Sequence, residues 1–340
     1  MNEFIIAQIE KSDQLSTVEL FQNILLVIAG LTALFFGAEW LVKGASDIAI
    51  KMGISPLVVG LTVVAFGTSM PELLVCLQAN ADNQPDVALG NIIGSNICNI
   101  ALILGIAAVM KPIVIHRQII RKEMPILIGV TLAFIAMLYN GSISRVEGGL
   151  LVAAVLTYVV TSIVQSRKEK DQDNYGEFSP EEIAEVKKSG AKKMAISVGL
   201  IAIGLVVLKF GSEWLVDGGE FVAIQMGIDE AIIALFLFAF GTSLPELATS
   251  IIAIRKGEGD IITGNAIGSC IFNVLAVIGI TALVKPIAQG EIELLDKMVM
   301  LGATVGIFLF MGSRMRLSRV EGVILLVGYA TYCVVRYNLG

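Results

Sequence analysis

The sequence predicts an all-α membrane protein with ten transmembrane helices, arranged as two inverted-topology five-helix repeats with broken helices at the midplane. The first observation is composition. The chain of 340 residues is 56% hydrophobic and only 16% charged, with a mean hydropathy of +0.82, whereas soluble domains are about 25% charged. The second is that apolar runs of membrane-spanning length recur along the chain. The third is a short phrase with a proline and a glutamate that occurs twice in such runs.

The predicted spans follow one another with short connections, except for one polar linker at 167–193. The first span begins near Phe21, because residues 1–20 are polar. The first and sixth spans are longer than a bilayer requires, which helix tilt accommodates. We place the ten spans near 21–45, 56–80, 86–110, 120–139, 146–165, 194–219, 230–254, 260–283, 295–312 and 319–337.

Landmark residues recur at a constant offset of 174 positions, as in Trp40 and Trp214 or Glu72 and Glu246. This spacing indicates a duplicated five-span unit. The first repeat covers 1–166, with its motif at 60–105, and the second covers 194–340, with its motif at 234–279. Since five is odd, the second copy enters the membrane from the opposite side. Many secondary transporters have such an inverted repeat, with the binding site at the midplane.

Charge predicts the orientation. Most of the 24 Lys and Arg fall in connections after odd-numbered spans, and positive residues stay cytoplasmic. We therefore expect a multi-pass protein of the cell membrane with both termini outside and a cytoplasmic linker at 167–193. Ser179 to Glu182 forms a capping box that predicts a short helix. Residues 171–182 also match part of an EF-hand loop, and a charged linker is the alternative.

The repeated phrase is Gly67–Leu73 in the first copy and Gly241–Leu247 in the second. Its proline removes a helical hydrogen bond, so we expect free carbonyl groups in the first three residues of each phrase. Its glutamate places a charge inside a membrane span, which is costly and usually functional. Carbonyl, hydroxyl and carboxylate oxygens are ligands that suit calcium and sodium. The phrase therefore predicts a cation site.

A second polar set follows each phrase, with its members spaced four residues apart along one side of a helix. These residues are Asn91, Ser95 and Asn99 in the first copy and Asn265, Ser269 and Asn273 in the second. The alternative is that these residues only hold helices together, as small and amide residues often do in membranes. Their position after the broken phrase in both copies favours the cation site.

An inverted pair would bring Glu72 to face Glu246 at the centre. One Ca²⁺, or more than one Na⁺ or H⁺, neutralises two carboxylates, whereas leaving both unpaired in low dielectric costs several kcal/mol. The empty carrier should therefore resist reorientation, which is what an obligatory exchanger needs and a channel does not.

These motifs resemble the calcium/cation antiporter superfamily, in its prokaryotic sodium/calcium exchanger branch. The resemblance rests on two pairs of motifs and extends through all ten spans. The first pair is Gly67-Thr68-Ser69-Met70-Pro71-Glu72 with Gly90–Asn99, and the second is Gly241-Thr242-Ser243-Leu244-Pro245-Glu246 with Gly264–Asn273.

The resemblance implies that Glu72 and Glu246 ligate Ca²⁺ and also serve Na⁺, with the backbone carbonyls of Thr68 and Thr242 completing the calcium site. It also implies that the long first and sixth spans slide against the core. The residues implied for the sodium sites are Ser69, Ser243, Ser95, Ser269, Asn99 and Asn273. Some exchangers of this type carry an aspartate at the place of Asn273, and this departure leaves the Na⁺ count and the choice between Na⁺ and H⁺ open.

The sequence thus predicts an antiporter that exchanges Na⁺ for Ca²⁺ by alternating access as a single chain in the lipid bilayer. We expect no enzyme activity, no cofactor, no nucleotide and no nucleic acid, since the chain has no phosphate-binding loop. A Ca²⁺/H⁺ antiporter on the same scaffold is the nearest alternative, and a cation channel is the alternative from another class.

Overall fold

The computed structural model describes residues 2–139, 141–168, 186, 188, 190–226, 241–288 and 292–339. This part of the chain is almost entirely helical, and we number the helices in chain order. The first repeat contains α1 (Asn2–Met52), α2 (Pro56–Thr68), α3 (Met70–Ala81), α4 (Pro85–Met110), α5 (Met124–Leu138) and α6 (Arg145–Lys168). The second contains α7 (Ala191–Gln225), α8 (Leu244–Lys256), α9 (Gly259–Val284), α10 (Leu294–Arg314) and α11 (Arg319–Leu339).

Seven helices of the described part are long and apolar enough to cross a membrane, and α2 with α3 forms an eighth candidate. These eight match eight of the ten predicted spans. The predicted span at 120–139 corresponds to a widened turn, Ile119–Glu123, followed directly by α5; this stretch has Arg121, Lys122 and Glu123 near its start and is not among the candidate spans. The span at 230–254 is only partly described, because 227–240 lie outside the described residues, as does most of the linker with its predicted helix and calcium loop. The ten-helix count therefore stays a prediction.

The two longest membrane helices, α1 and α7, pack against each other in antiparallel orientation at closely spaced glycines. A Cβ added at Gly30 would lie 2.8 Å from the carbonyl oxygen of Gly211, and one added at Gly204 would lie 2.8 Å from that of Gly37. No Cβ atom fits at such a short distance from a carbonyl oxygen. Because glycine has no Cβ, the two backbones can come into direct contact. These two helices, which the 174-residue offset makes equivalent, thus run in opposite directions.

Four short strands also join the two copies. β1 (Ile113–Val114) pairs with β4 (Arg316–Leu317), and β2 (Ser142–Ile143) pairs with β3 (Ile287–Ala288), both antiparallel. β1 and β3 are related by the 174-residue offset, and so are β2 and β4. Each strand therefore pairs with a strand of the other copy, and the two pairings are equivalent under exchange of the repeats.

The centre of the molecule is formed by α4 and α9. Every residue from Ile261 to Ile278 of α9 is buried. Each of these helices contains one wider stretch with the π-helical bonding pattern, at Cys98–Ile103 in α4 and Asn273–Ile278 in α9. Such stretches are rare and are frequent at functional sites. The two central helices therefore hold the predicted polar residues away from lipid.

Candidate cation site

The helix breaks at the repeated phrase, as its proline predicts. α2 and α3 meet at a bend of 41°. Pro71 has no N–H, so the carbonyl of Gly67 cannot receive the bond that an unbroken helix would make. In the second copy, the carbonyl of Gly241 accepts a hydrogen bond of 2.5 Å from Ser212 Oγ. Side chains and bent backbone thus replace the helical bonding pattern.

The expectation of free carbonyls throughout the first three residues of each phrase is wrong in part. The carbonyl of Ser69 accepts the N–H of Leu73 at 3.2 Å, and that of Ser243 accepts the N–H of Leu247 at 3.0 Å. Helical hydrogen bonding resumes directly after the break, because the proline is the one residue of the phrase without a backbone N–H. Among the described residues, no backbone N–H bonds to the carbonyl of the threonine before either serine. The break therefore leaves fewer oxygens available than the sequence suggested.

The two glutamates that follow the prolines are fully buried. Glu72 and Glu246 both have 0% exposure. Neither oxygen of Glu72 has a hydrogen-bond partner among the described residues, and neither does Glu246 Oε2. Glu246 Oε1 accepts one long bond of 3.5 Å from Ser269 Oγ, and the two carboxylates interact electrostatically. Buried carboxylates with so few donors require a cation or a proton to balance them.

Each threonine of the repeated phrase contacts an asparagine of the other copy. Thr68 Oγ1 donates to Asn265 Oδ1 at 3.2 Å, and Thr242 Oγ1 donates to Asn91 Oδ1 at 3.2 Å. The two bonds are equivalent under exchange of the repeats. They hold the backbone of each phrase against the central helix of the opposite copy, which fixes the position of the threonine carbonyls.

Four serine hydroxyls lie around the carboxylates. Ser69 Oγ and Ser243 Oγ are buried with no hydrogen-bond partner in the described part of the chain. Ser95 Oγ and Ser269 Oγ lie 3.4 and 3.5 Å from the threonine hydroxyl of the opposite copy. These hydroxyls supply neutral oxygen atoms beside the two negative charges.

Asn99 and Asn273 lie in the widened stretches of the two central helices, and both are fully buried. Neither polar atom of Asn99 has a hydrogen-bond partner among the residues described. Asn273 Nδ2 donates to Asn96 Oδ1 at 3.0 Å, whereas Asn273 Oδ1 has no partner in the same set. The two equivalent asparagines therefore have different surroundings.

Two polar residues near this region lie outside the predicted site. Asn96 has Cys270 at its repeat position, so comparison of the copies gave no reason to select it. Lys209 lies in the middle of α7 and pairs with Glu213 at 2.5 Å. Its repeat position holds Phe35, which made it look peripheral. A lysine amid apolar residues of a membrane helix was the signal that could have found it.

A cavity of about 850 Å³ approaches the glutamates from one face of the molecule. Asp86 and Asp217 lie at its sides, and it reaches Asn91 and Thr242 at the site. Lys209 also lines it. Among the described residues, the cavity therefore joins the surface beside Asp86 and Asp217 to the polar region.

The path related to this cavity by the repeat is closed by packing. Asn265 is fully buried, and a Cβ added at Gly264 would lie 2.7 Å from the carbonyl oxygen of Leu57. Closer to the surface, Ser46 Oγ donates to Glu258 Oε2 at 2.6 Å, which connects α1 to the turn between α8 and α9. The α2 residues that close this path, Leu57 and its neighbours, have their repeat counterparts at 230–240, which lie outside the described residues.

Comparison with protein families gives two matches to one family model. The model described as sodium/calcium exchanger protein matches residues 22–164 and again residues 196–338. The two matches are offset by the same 174 positions as the landmarks of the internal repeat.

Individual relatives match over nearly their whole length. The putative antiporter CaxA of Alkalimonas amylolytica is 38% identical over 90% of this chain and 96% of its own. The inner membrane protein YrbG of Escherichia coli is 36% identical over 92% and 96%, and the sodium/calcium exchanger MaX1 of Methanosarcina acetivorans is 29% identical over 93% and 99%. A structure of the sodium-calcium exchanger NCX_Mj superposes with a TM-score of 0.77 at 28% identity, covering 92% of this chain and 97% of that one.

Proposed function

The chain belongs to the sodium/calcium exchanger family, whose members are membrane transporters rather than enzymes, and we propose that it exchanges Na⁺ for Ca²⁺ by alternating access. The observation that carries this proposal is the pair of fully buried glutamates with almost no hydrogen-bond donors. Ca²⁺ takes six to eight oxygen ligands, and its charge balances two carboxylates. The surrounding hydroxyl, amide and carbonyl oxygens match that requirement.

In this proposal, Glu72 and Glu246 bind Ca²⁺ together with the backbone carbonyls of Thr68 and Thr242, and the glutamates also serve Na⁺. Asn91 and Asn265 complete the set through their contacts with the threonines. The oxygens assigned to Na⁺ belong to Ser69, Ser243, Ser95, Ser269, Asn99 and Asn273.

The proposed architecture is an inverted pair of repeats, 1–166 and 194–340, joined by a cytoplasmic linker at 167–193. The antiparallel packing of α1 on α7 and the equivalent cross-pairing of the strands support it. With both termini outside the cell membrane, the cavity beside Asp217 opens outward. A single chain in the lipid bilayer contains the whole proposed site.

Transport into proteoliposomes tests the function. We expect radiolabelled Ca²⁺ uptake to be driven by an outward Na⁺ gradient, because the two ions compete for the same carboxylates. A Ca²⁺/H⁺ antiporter stays the second candidate, since partnerless glutamates also accept protons. Uptake driven by a pH gradient and unaffected by Na⁺ would establish that alternative. Uptake that needs neither gradient and does not saturate would indicate a channel.

A further inference from the structure

A chain of amide hydrogen bonds runs from the contact between the two central helices to the proposed cation site. Asn96 Nδ2 donates to the backbone carbonyl of Cys270 at 3.3 Å, and Asn96 Oδ1 accepts from Asn273 Nδ2 at 3.0 Å. All three residues are at most 1% exposed. We propose that Asn96 is a positioning residue that orients the Asn273 amide so that its oxygen faces the transported cations.

The direction of this chain follows from chemistry. A backbone carbonyl can only accept a hydrogen bond, so it requires the NH₂ end of Asn96. The oxygen of Asn96 must then point away from Cys270, and it requires a donor. Among the described residues, the NH₂ group of Asn273 supplies that donor at 3.0 Å, which leaves Asn273 Oδ1 as the end without a partner in this set. An amide that could otherwise be placed either way is therefore set by its neighbours.

The orientation matters because the two ends of an amide have opposite effects on a cation. The oxygen is a ligand, whereas the NH₂ group presents partial positive charge to the ion. Asn273 Oδ1 has no hydrogen-bond partner among the described residues and is fully buried. It is thus available as a neutral ligand.

The second copy has no asparagine at the position equivalent to Asn96. Cys270 stands where the repeat would place an Asn96 equivalent, and its thiol donates to the Asn96 carbonyl at 3.7 Å. Asn99, the repeat partner of Asn273, makes no hydrogen bond within the described residues through either amide atom. Two ligands of the same type are therefore held differently, and a change at Asn96 should act on Asn273 alone.

The test is a double-mutant cycle on the full chain in proteoliposomes, with NaCl and CaCl₂ as the probes. We expect Asn96→Leu to raise the half-saturating concentration of the ion bound by Asn273 about tenfold, the effect of losing one well-made polar contact. Asn273→Ala should raise the half-saturating concentration of the same ion. Adding Asn96→Leu to the Asn273→Ala variant should then cause no further increase. Thr131→Val, which replaces a buried hydroxyl without a partner in α5, is the control and should change neither value.

A rescue experiment separates positioning from packing. Both oxygens of a carboxylate accept, so Asn273→Asp needs no orienting partner and should recover tight ion binding in the Asn96→Leu background. Additive shifts in the cycle, or a lower maximal rate with unchanged half-saturation, would overturn the proposal. If Asn96→Leu does not insert into the membrane, Asn96→Ala removes the same two hydrogen bonds with a smaller side chain.

The inference rests on the proposed cation site, and the experiment keeps the two apart. Absence of cation-dependent transport by the unmodified chain would refute the proposed function. Normal transport by the unmodified chain, with half-saturation unaltered in Asn96→Leu, would refute the role of Asn96 alone.

Discussion

At the scale of single residues, Glu72 and Glu246 dominate the electrostatics of the proposed site. They are fully buried, and among the described residues the two carboxylates accept one hydrogen bond between them, of 3.5 Å from Ser269 Oγ to Glu246. No group of three acidic, histidine or cysteine side chains that could hold a metal occurs among the described residues. The charge of a bound divalent ion must therefore be balanced by these two carboxylates, with neutral oxygens as the other ligands.

We expect Glu72→Gln and Glu246→Gln each to reduce Ca²⁺ affinity about a hundredfold, because removing one partner of a buried charge contact costs about 3 kcal/mol. Uptake of radiolabelled Ca²⁺ at low concentration should then be lost while the protein remains folded in the membrane. Glu220→Gln, at an exposed carboxylate of α7, is the matched control and should transport normally. A glutamine variant that keeps half of the wild-type uptake would contradict the site assignment.

At the scale of elements, the proline breaks and the interface of α1 with α7 have different roles. We propose that the breaks present threonine carbonyls to the bound cation, and the widened stretches of α4 and α9 contain Asn99 and Asn273. The α1–α7 interface contains glycines such as Gly37 and Gly204, where the backbones touch. In a membrane, close packing of this kind replaces the hydrophobic effect as the source of helix association.

Gly204→Ala should destabilise the protein by about 1–3 kcal/mol, as overpacking does in a tight contact. Its Cβ would lie 2.8 Å from the carbonyl oxygen of Gly37, so the two helices would have to separate. Thermal unfolding in detergent measures the effect. Gly199→Ala in the same helix is the control, since a Cβ there meets nothing within 4 Å. Equal melting temperatures for the two variants would show that the close contact contributes little.

At the scale of the whole molecule, the repeats have matching motifs but different surroundings. Val87 lines the cavity, whereas Ile261, its repeat counterpart, is fully buried against Gly60 of α2, whose own counterpart at 234 lies outside the described residues. The contact between Ser46 and Glu258 lies on the closed face. Exchanging the conformations of the two repeats would open that face and close the other, which is the alternating access we propose.

Labelling with a membrane-impermeant maleimide tests this inverted arrangement. In intact cells, Val87→Cys should react from outside, because its side chain faces the cavity. Ile261→Cys should resist the same reagent and react only from the cytoplasmic face, when the transporter opens there. The unmodified chain is the control for background, since its four cysteines are buried. Reaction of both variants from the outside would contradict the inverted repeat.

Much of the fold was predictable because membrane spans and duplications are local signals. The length of the apolar runs predicted eight helices that the structure confirms. The 174-residue offset between Glu72 and Glu246 agrees with the spacing of the two family matches. The expectation that Ser69 and Ser243 have free carbonyls was wrong, since a kink removes only the bond that proline cannot make. The resumption of helical bonding depends on backbone geometry that residue types do not specify.

The sequence by itself determined that this chain is a helical membrane transporter with two acidic, broken motifs. The reason is that a charged residue and a proline are costly inside an apolar membrane span and usually serve a function there. Tertiary structure alone decided that Thr68 bonds across to Asn265, that Asn96 bonds across to Asn273, and that Ser46 connects α1 to Glu258. The physical reason is that each of these bonds joins one copy of the repeat to the other. The sequence of one copy does not specify which residues of the other copy it will contact.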